Sequence, residues 1–372
     1  MLIYIMAFAA ALFLIKTAEN SKNRFTRRAL CIAAIAIPSW VAGCRAEGIG
    51  YDTKLYGVVA YEYSLQHSAI ELILEYSGDS PAFWVLWHFF SSVFKDIFAP
   101  QFAVEFIIEF CVLNALKKTW EEDETFHMWI GMAVYYFVFY SYSLNIMRQS
   151  LALAIILVGY QTYMRKGRHI KFALLSVCTM AVHTTAIYGL VVLAIDIVYE
   201  KYFSETLVKQ YLFLIFGLFV SGLFLLSYRS ILSRIASIYP RFLHYLSTSI
   251  HFQSTMSALS MFVIIVLFIF AVRLILLRNC SEMNFYYDLL IFGIPLFMIN
   301  LYSNDAYRLS FYFFYAMILV MPDAFSNVVE FDEIQASNAS ILRIALIFIL
   351  LLFWYMMFDR WGTNDIIPYK FR

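Results

Sequence analysis

Of the 372 residues, 62% are hydrophobic and only 14% charged, against roughly 25% charge in soluble domains, and the formal net charge is +1. That balance excludes a soluble globular enzyme and offers no basic excess for nucleic acid. The five cysteines include no Cys-x-x-Cys pair, which excludes a zinc ribbon or a thioredoxin-type redox motif; Cys31, Cys111 and Cys178 lie in apolar runs, where packing explains them.

Apolar runs recur along the whole chain, and about 20 helical residues cross a hydrocarbon core about 30 Å thick. The runs do not alternate apolar and polar residues, so they predict helices rather than barrel strands. The expected architecture is an all-α, polytopic integral membrane protein, a single domain with about twelve transmembrane helices.

Residues 1–15 lack a basic leader region and a small-residue cleavage site, and are read as the first span. The next loop carries Lys16, Lys22, Arg24, Arg27 and Arg28, so the positive-inside rule makes it cytoplasmic and puts the N-terminus outside. Residues 29–43 return outward. An external segment, 44–98, follows. Its last part, 81–98, holds Trp84, Trp87 and His88 and is expected to lie in the interface or re-enter it, with Pro100 breaking it from a crossing at 102–116. Counting both pieces as crossings would put the loop with Arg165, Lys166, Arg168 and Lys171 outside, against the rule.

Crossings are then expected at 127–144 and 149–164. Residues 172–198 would make a helix about 40 Å long, too long for one upright crossing, and are interrupted by His183, Thr184 and Thr185. Two short helices meeting in a recess fit better. Crossings follow at 211–227, 258–277, 285–302, 307–321 and 339–358, with a second external segment at 228–257. Six arginines fall at outer helix ends or in outer loops: Arg45, Arg148, Arg229, Arg234, Arg241 and Arg308. Guanidinium groups bind phosphate oxygens bidentately, so this set points to a phosphorylated lipid.

Four outer patches combine polar groups with an apolar frame. They are Arg45 with Gly50-Tyr51-Asp52-Thr53 and Tyr56; Arg148-Gln149 opening a helix; His183-Thr184-Thr185; and Asp305 with Arg308 before a Tyr/Phe-rich helix. In this order they resemble the EpsG family of exopolysaccharide polymerases, related in character to the Wzy O-antigen polymerases. Tyr51 stands where that family has Thr, and Ala46 where Gly is usual after the first Arg.

The resemblance implies a GT-C-like glycosyltransferase architecture. The implied activity joins oligosaccharide repeat units carried on undecaprenyl diphosphate at the outer face of the bacterial cytoplasmic membrane. Beside membrane lipids it implies one protein partner, a chain-length regulator, and no nucleic acid. For that chemistry Arg45, Arg148 and Arg308 are the expected diphosphate ligands, with Tyr56, Gln149, Thr184 and Asp305 as further substrate contacts. The general base is His183, whose ordinary pKa of about 6.5 suits the task, or Asp52. No cofactor is expected, though two carboxylates one helical turn apart, Glu105 and Glu109, are candidates for pairing with a basic residue of another span or for holding a divalent ion.

Competing readings attach to the same residues. Arg229 and Arg234 suit snorkelling to lipid headgroups. Asp52 suits capping of the helix that starts near Thr53, and His183 suits a satisfied core position. A lipid-linked oligosaccharide flippase would also want interior arginines, but no internal repeat is present to suggest a transporter. A glycan ligase or acyltransferase shares the surface chemistry.

Overall fold

The computed structural model of the chain describes residues 1–50, 53–76, 79–238, 252–275, 283–301, 306–326 and 333–372. Among these no β-strand forms, and helices follow one another throughout. Eight are long and apolar enough to cross a membrane: Leu2–Glu19 (α1), Arg24–Gly43 (α2), Phe98–Glu122 (α6), Val208–Ile238, Met256–Ile275, Asn284–Leu301, Tyr307–Phe325 and Ser337–Arg360. Large apolar side chains stand outward on them, Phe13 at 70% and Leu226 at 77% exposure, as a lipid-facing surface requires.

The twelve expected crossings each meet a helical segment, but four of these segments are short or interrupted. Residues 128–145 form Met128–Val134 (α7), a π-helical turn Tyr135–Phe139 and Tyr140–Asn145 (α8). Residues 147–164 form Met147–Gly159 (α9) and a second π turn, Tyr160–Met164. The long run 172–198 is broken as expected. His169–Thr179 (α10) stops before His183, a 3₁₀ turn covers Thr184–Ile187, and Tyr188–Tyr202 (α11) begins anew.

Two local expectations need correction. The break before the third long helix falls at Lys95, which adopts φ +52, and not at Pro100. Asp96 then accepts the backbone N–H of Phe98 at 2.8 Å, and Pro100 sits in the first turn of α6, where its missing N–H costs nothing. The fourth long helix, Leu207–Ile238 (α12), continues into the segment 228–257 because Ile231, Leu232, Ile235 and Ile238 prolong its apolar pattern. Residues 239–251 lie outside the described residues, Arg241 among them.

The chain divides into two units, Met1–Ile187 with Met321–Arg372, and Tyr188–Val320. In the first, α2 packs between α1 and α6, and α6 also packs on α9. Short helices Val58–Ser64 (α3), Ala69–Glu75 (α4) and Pro81–Phe94 (α5) lie together, and α5 packs against α6. The centre is aromatic. Phe8 stacks on Tyr136 at 5.0 Å and meets Trp354 edge-on at 5.1 Å, while Tyr4 and Tyr140 close the cluster. In lipid, helices gain little from the hydrophobic effect, so such pairs, worth about 0.5–1.5 kcal/mol each, carry much of the cohesion.

In the second unit, helix Asn284–Phe297 (α14) packs against α12 and against Phe252–Ile275 (α13). Gly217 of α12 leaves the space that the Phe292 ring occupies. A 3₁₀ turn, Ala306–Ser310, then leads into Phe311–Phe314 (α15), whose Phe314 ring stacks on Phe262 at 4.9 Å.

Candidate active site at one end of the first unit

The candidate residues of the first unit are gathered where α2 ends. Arg45, two residues past α2, is buried, with 1% of its surface exposed. Its guanidinium donates to the Ala42 carbonyl at 2.7 Å and to Thr53 Oγ1 at 3.1 and 3.2 Å, and meets Met147 Sδ at 3.3 Å. Among the described residues these partners are all neutral. Burial pulls the guanidinium below its ordinary pKa, while Tyr140 and then Glu105 act in the opposite sense. A desolvated cation on neutral partners is costly unless an anion completes it.

Gly50 explains how the loop reaches this position. It adopts φ +82, and a Cβ there would lie 2.6 Å from the Leu144 carbonyl oxygen, so the loop rests directly on the corner between α8 and α9. That contact carries Thr53 to Arg45 and brings both to Met147, the neighbour of Arg148. Thr53–Gly57 is a π-helical turn, a feature often found at functional sites, and it presents Tyr56.

Arg148 lies on an aromatic platform. Its guanidinium carbon is 5.3 Å from the Tyr56 ring and 5.4 Å from the Trp84 ring, and Tyr76 stacks on Trp84 at 4.1 Å. Asp79 Oδ2 is 3.7 Å from its Nη1, a loose pair with 44% of the Asp79 side chain exposed. Burial raises the Tyr76 phenol above its ordinary pKa, and the charge of Arg148 opposes the shift. Tyr56, Trp84, Trp87, Met147 and Arg148 line a recess of about 10 Å³, room for one water molecule. The indole N–H groups of Trp84 and Trp87 are buried without an acceptor among the described residues. A buried indole N–H ordinarily meets an acceptor.

The His183 turn is tied to the same platform. The Ala82 N–H, at the start of α5, donates to the Ala181 carbonyl at 2.8 Å, two residues before His183. His183 Nδ1 is 2.6 Å from Thr185 Oγ1. Nδ1 also accepts the Thr185 backbone N–H at 3.3 Å, so in the neutral ring Nδ1 is the unprotonated nitrogen and Nε2 carries the hydrogen. Thr184 is exposed and Gln149 buried beside Arg148. Arg308 belongs to the second unit, in the turn Ala306–Ser310. Asp52 and Asp305 lie outside the described residues.

Three features escaped the sequence reading. Glu105 and Glu109 do not pair with a basic residue among the described ones. Glu105 accepts from Tyr135 at 2.6 Å and Ser143 at 2.7 Å, and Glu109 from Tyr136 at 2.8 Å and Ser39 at 3.4 Å. Hydroxyls satisfy both carboxyls, so neither a salt bridge nor an ion is needed to hold them. The aromatic platform was missed because Tyr76, Asp79 and Trp84 are far from Arg148 in sequence; only the unusual density of Trp and Tyr in 44–98 signalled it.

The third feature is a strap formed by residues 364–372. Phe371 pairs with Arg45 through the Ala46 N–H to the Lys370 carbonyl at 2.8 Å and the Arg372 N–H to the Cys44 carbonyl at 3.0 Å. Asn364 bonds both Asn145 and Ser141 at 3.0 Å, Tyr369 donates to the Val41 carbonyl at 2.8 Å, and Arg372 pairs with Asp96. The backbone N–H of Phe98, and then Arg372, hold the Asp96 carboxyl below its ordinary pKa.

Fold and site together define a polytopic helical membrane protein with a cationic, aromatic pocket region at one end of its first unit. The chain belongs to the EpsG family, whose model matches residues 28–371, and so to polysaccharide-polymerase-like membrane proteins of the glycosyltransferase kind. No curated protein and no solved structure matches it.

Proposed function

We propose that the protein polymerises oligosaccharide repeat units carried on undecaprenyl diphosphate, at the outer face of a bacterial cytoplasmic membrane. The observation that carries this reading is the pair Arg45 and Arg148 on one corner, the first desolvated on neutral partners and the second stacked beside two indole N–H groups without acceptors. Such a cluster suits the oxygens of a diphosphate.

In the reaction a hydroxyl of the incoming unit attacks the anomeric carbon of the growing chain. The bond from that carbon to the diphosphate oxygen breaks, and the electron pair leaves with the lipid diphosphate. Arg45 and Arg148 offset the charge that develops there. The imidazole of His183 takes the hydroxyl proton, unless Asp52 does so. Tyr56, partly exposed, offers a ring for a sugar. Thr184 and Gln149 are assigned to the sugar hydroxyls, and a chain-length regulator is the expected protein partner.

The test is the surface polysaccharide made by cells in which the only copy is Arg148→Ala or His183→Ala, with expression checked by immunoblot. Single repeat units without a ladder are expected from both. A normal ladder from a stably expressed variant would remove that residue from the site.

A further inference from the structure

A second cavity of the first unit lies at the other end of α2. It holds about 390 Å³. Four cations line it from four places in the chain: Lys16 at the end of α1, Lys22 in the following loop, Arg27 at the start of α2, and Arg343 on the helix Glu333–Trp354 (α16). Two carboxylates join them, Glu19 and Glu124. Glu19 is occupied, accepting the backbone N–H of Trp129 at 2.9 Å. Among the described residues none of the four cations has a carboxylate within ion-pair distance.

Their neutral partners hold two of them in place. Arg27 bonds the Ser21 carbonyl at 2.8 Å and lies 4.7 Å from the Trp120 ring. Arg343 Nη2 donates to His127 Nε2 at 3.0 Å, while its Nε is buried without a hydrogen-bond partner. An oxyanion that accepts from the Nε edge of Arg343 would satisfy that donor, and a tetrahedral phosphate has further oxygens for Lys22 and Arg27. Trp120 and Trp129 mark the level where an aromatic ring meets the membrane surface, and the basic loop makes this end cytoplasmic by the positive-inside rule. The volume lies within the range of small-molecule sites and exceeds what inorganic phosphate alone fills.

We propose that this cavity binds a phosphate ester from the cytoplasmic side, at a site separate from the Arg45–Arg148 corner. Two sources carry that chemistry, the headgroup of an anionic phospholipid and a soluble phosphate monoester. The inference does not rest on the polymerase reading, because no residue is shared.

The test uses the full chain, delipidated in a neutral detergent. It is titrated with phosphatidylglycerol in one arm and glycerol 1-phosphate in the other, with binding read by native mass spectrometry and by thermal shift. The protein should bind at least one probe, and Arg343→Gln and Lys22→Gln should each weaken binding by about tenfold, the worth of one charge-assisted hydrogen bond. Lys166→Gln, whose side chain pairs with Glu122 and does not line the cavity, should bind as the parent does. If Arg343→Gln fails to fold, the exposed pair Lys16→Gln with Lys22→Gln carries the test. Binding of the lipid alone identifies a headgroup site; binding of both probes identifies a phosphate-ester site that needs no acyl chain. No binding of either probe, or equal binding by parent and cavity variants, overturns the proposal.

Discussion

The two ends of α2 present cations in opposite ways. At one end Arg45 is buried, its donors fixed on Ala42 and Thr53, and the adjoining recess has room for one water. At the other, Lys16 and Lys22 are exposed and Arg27 and Arg343 border a cavity of about 390 Å³. Twenty helical residues separate them by about 30 Å, the thickness of a hydrocarbon core. A closed, dry end strengthens charge interactions and suits chemistry; an open, wet end suits reversible binding.

The sharpest way to break this comparison is Arg45→Ala. It removes a buried guanidinium and leaves the Ala42 carbonyl without its donor, so a loss of about 2–4 kcal/mol and the absence of polymer are expected. Arg45→Lys should also fail to polymerise, since an ammonium cannot span Ala42, Thr53 and Met147 as the planar fork does. Thermal unfolding in detergent and the polysaccharide ladder measure the two losses. A stable, active Arg45→Lys protein would mean that the closed end needs only charge.

Gly50→Ala comes next, with about 1–3 kcal/mol expected from the positive φ and the collision with the Leu144 carbonyl. The loss should appear in both stability and ladder, whereas Gly48→Ala, with open space around its Cβ position, should change neither. Glu105→Gln should cost about 1–2 kcal/mol, because its amide nitrogen cannot accept from one of the Tyr135 and Ser143 hydroxyls. Equal stability would show that one of those hydroxyls turns elsewhere.

The smallest effect concerns the strap. Asp96 is held below its ordinary pKa in the folded protein, so its contribution is present above the unfolded value of about 3.8 and is lost as pH falls through the lower folded value. With half of the Asp96 side chain exposed, the change is screened and stays below about 1 kcal/mol. Asp96→Asn should flatten stability between about pH 4 and pH 2. An unchanged slope would assign it to other carboxyls.

Much of the framework was legible because crossing a membrane demands long apolar runs, and residues 1–15, 29–43 and 339–358 declare themselves. The break at His183 was legible too, from a polar triplet inside a run too long for one crossing. The corner at Arg148 showed itself as the short link 145–148 between two apolar runs. What stayed hidden depends on contacts between distant segments. Nothing near Arg45 announces that Thr53 and Met147 will enclose it, and Glu105 signals only that a partner is needed, not that Tyr135 and Ser143 supply it. The interrupted rods 128–145 and 147–164 read as plain spans because a π turn adds a residue without changing composition.

The strap has a consequence for the order of assembly. Its bonds join Tyr4 with Ile366 and Val41 with Tyr369, pairs 362 and 328 residues apart. Closing chain loops of that size costs more entropy than the contacts within α1, α2 and α6, which lie close in sequence. On that ground the helices are expected to pack first and the clasp over Arg45 to close afterwards. Pulsed hydrogen exchange reads this directly: the Ala46 and Arg372 amides should become protected after those of α2 and α6, and protection at the same moment would mean that the clasp forms with the bundle.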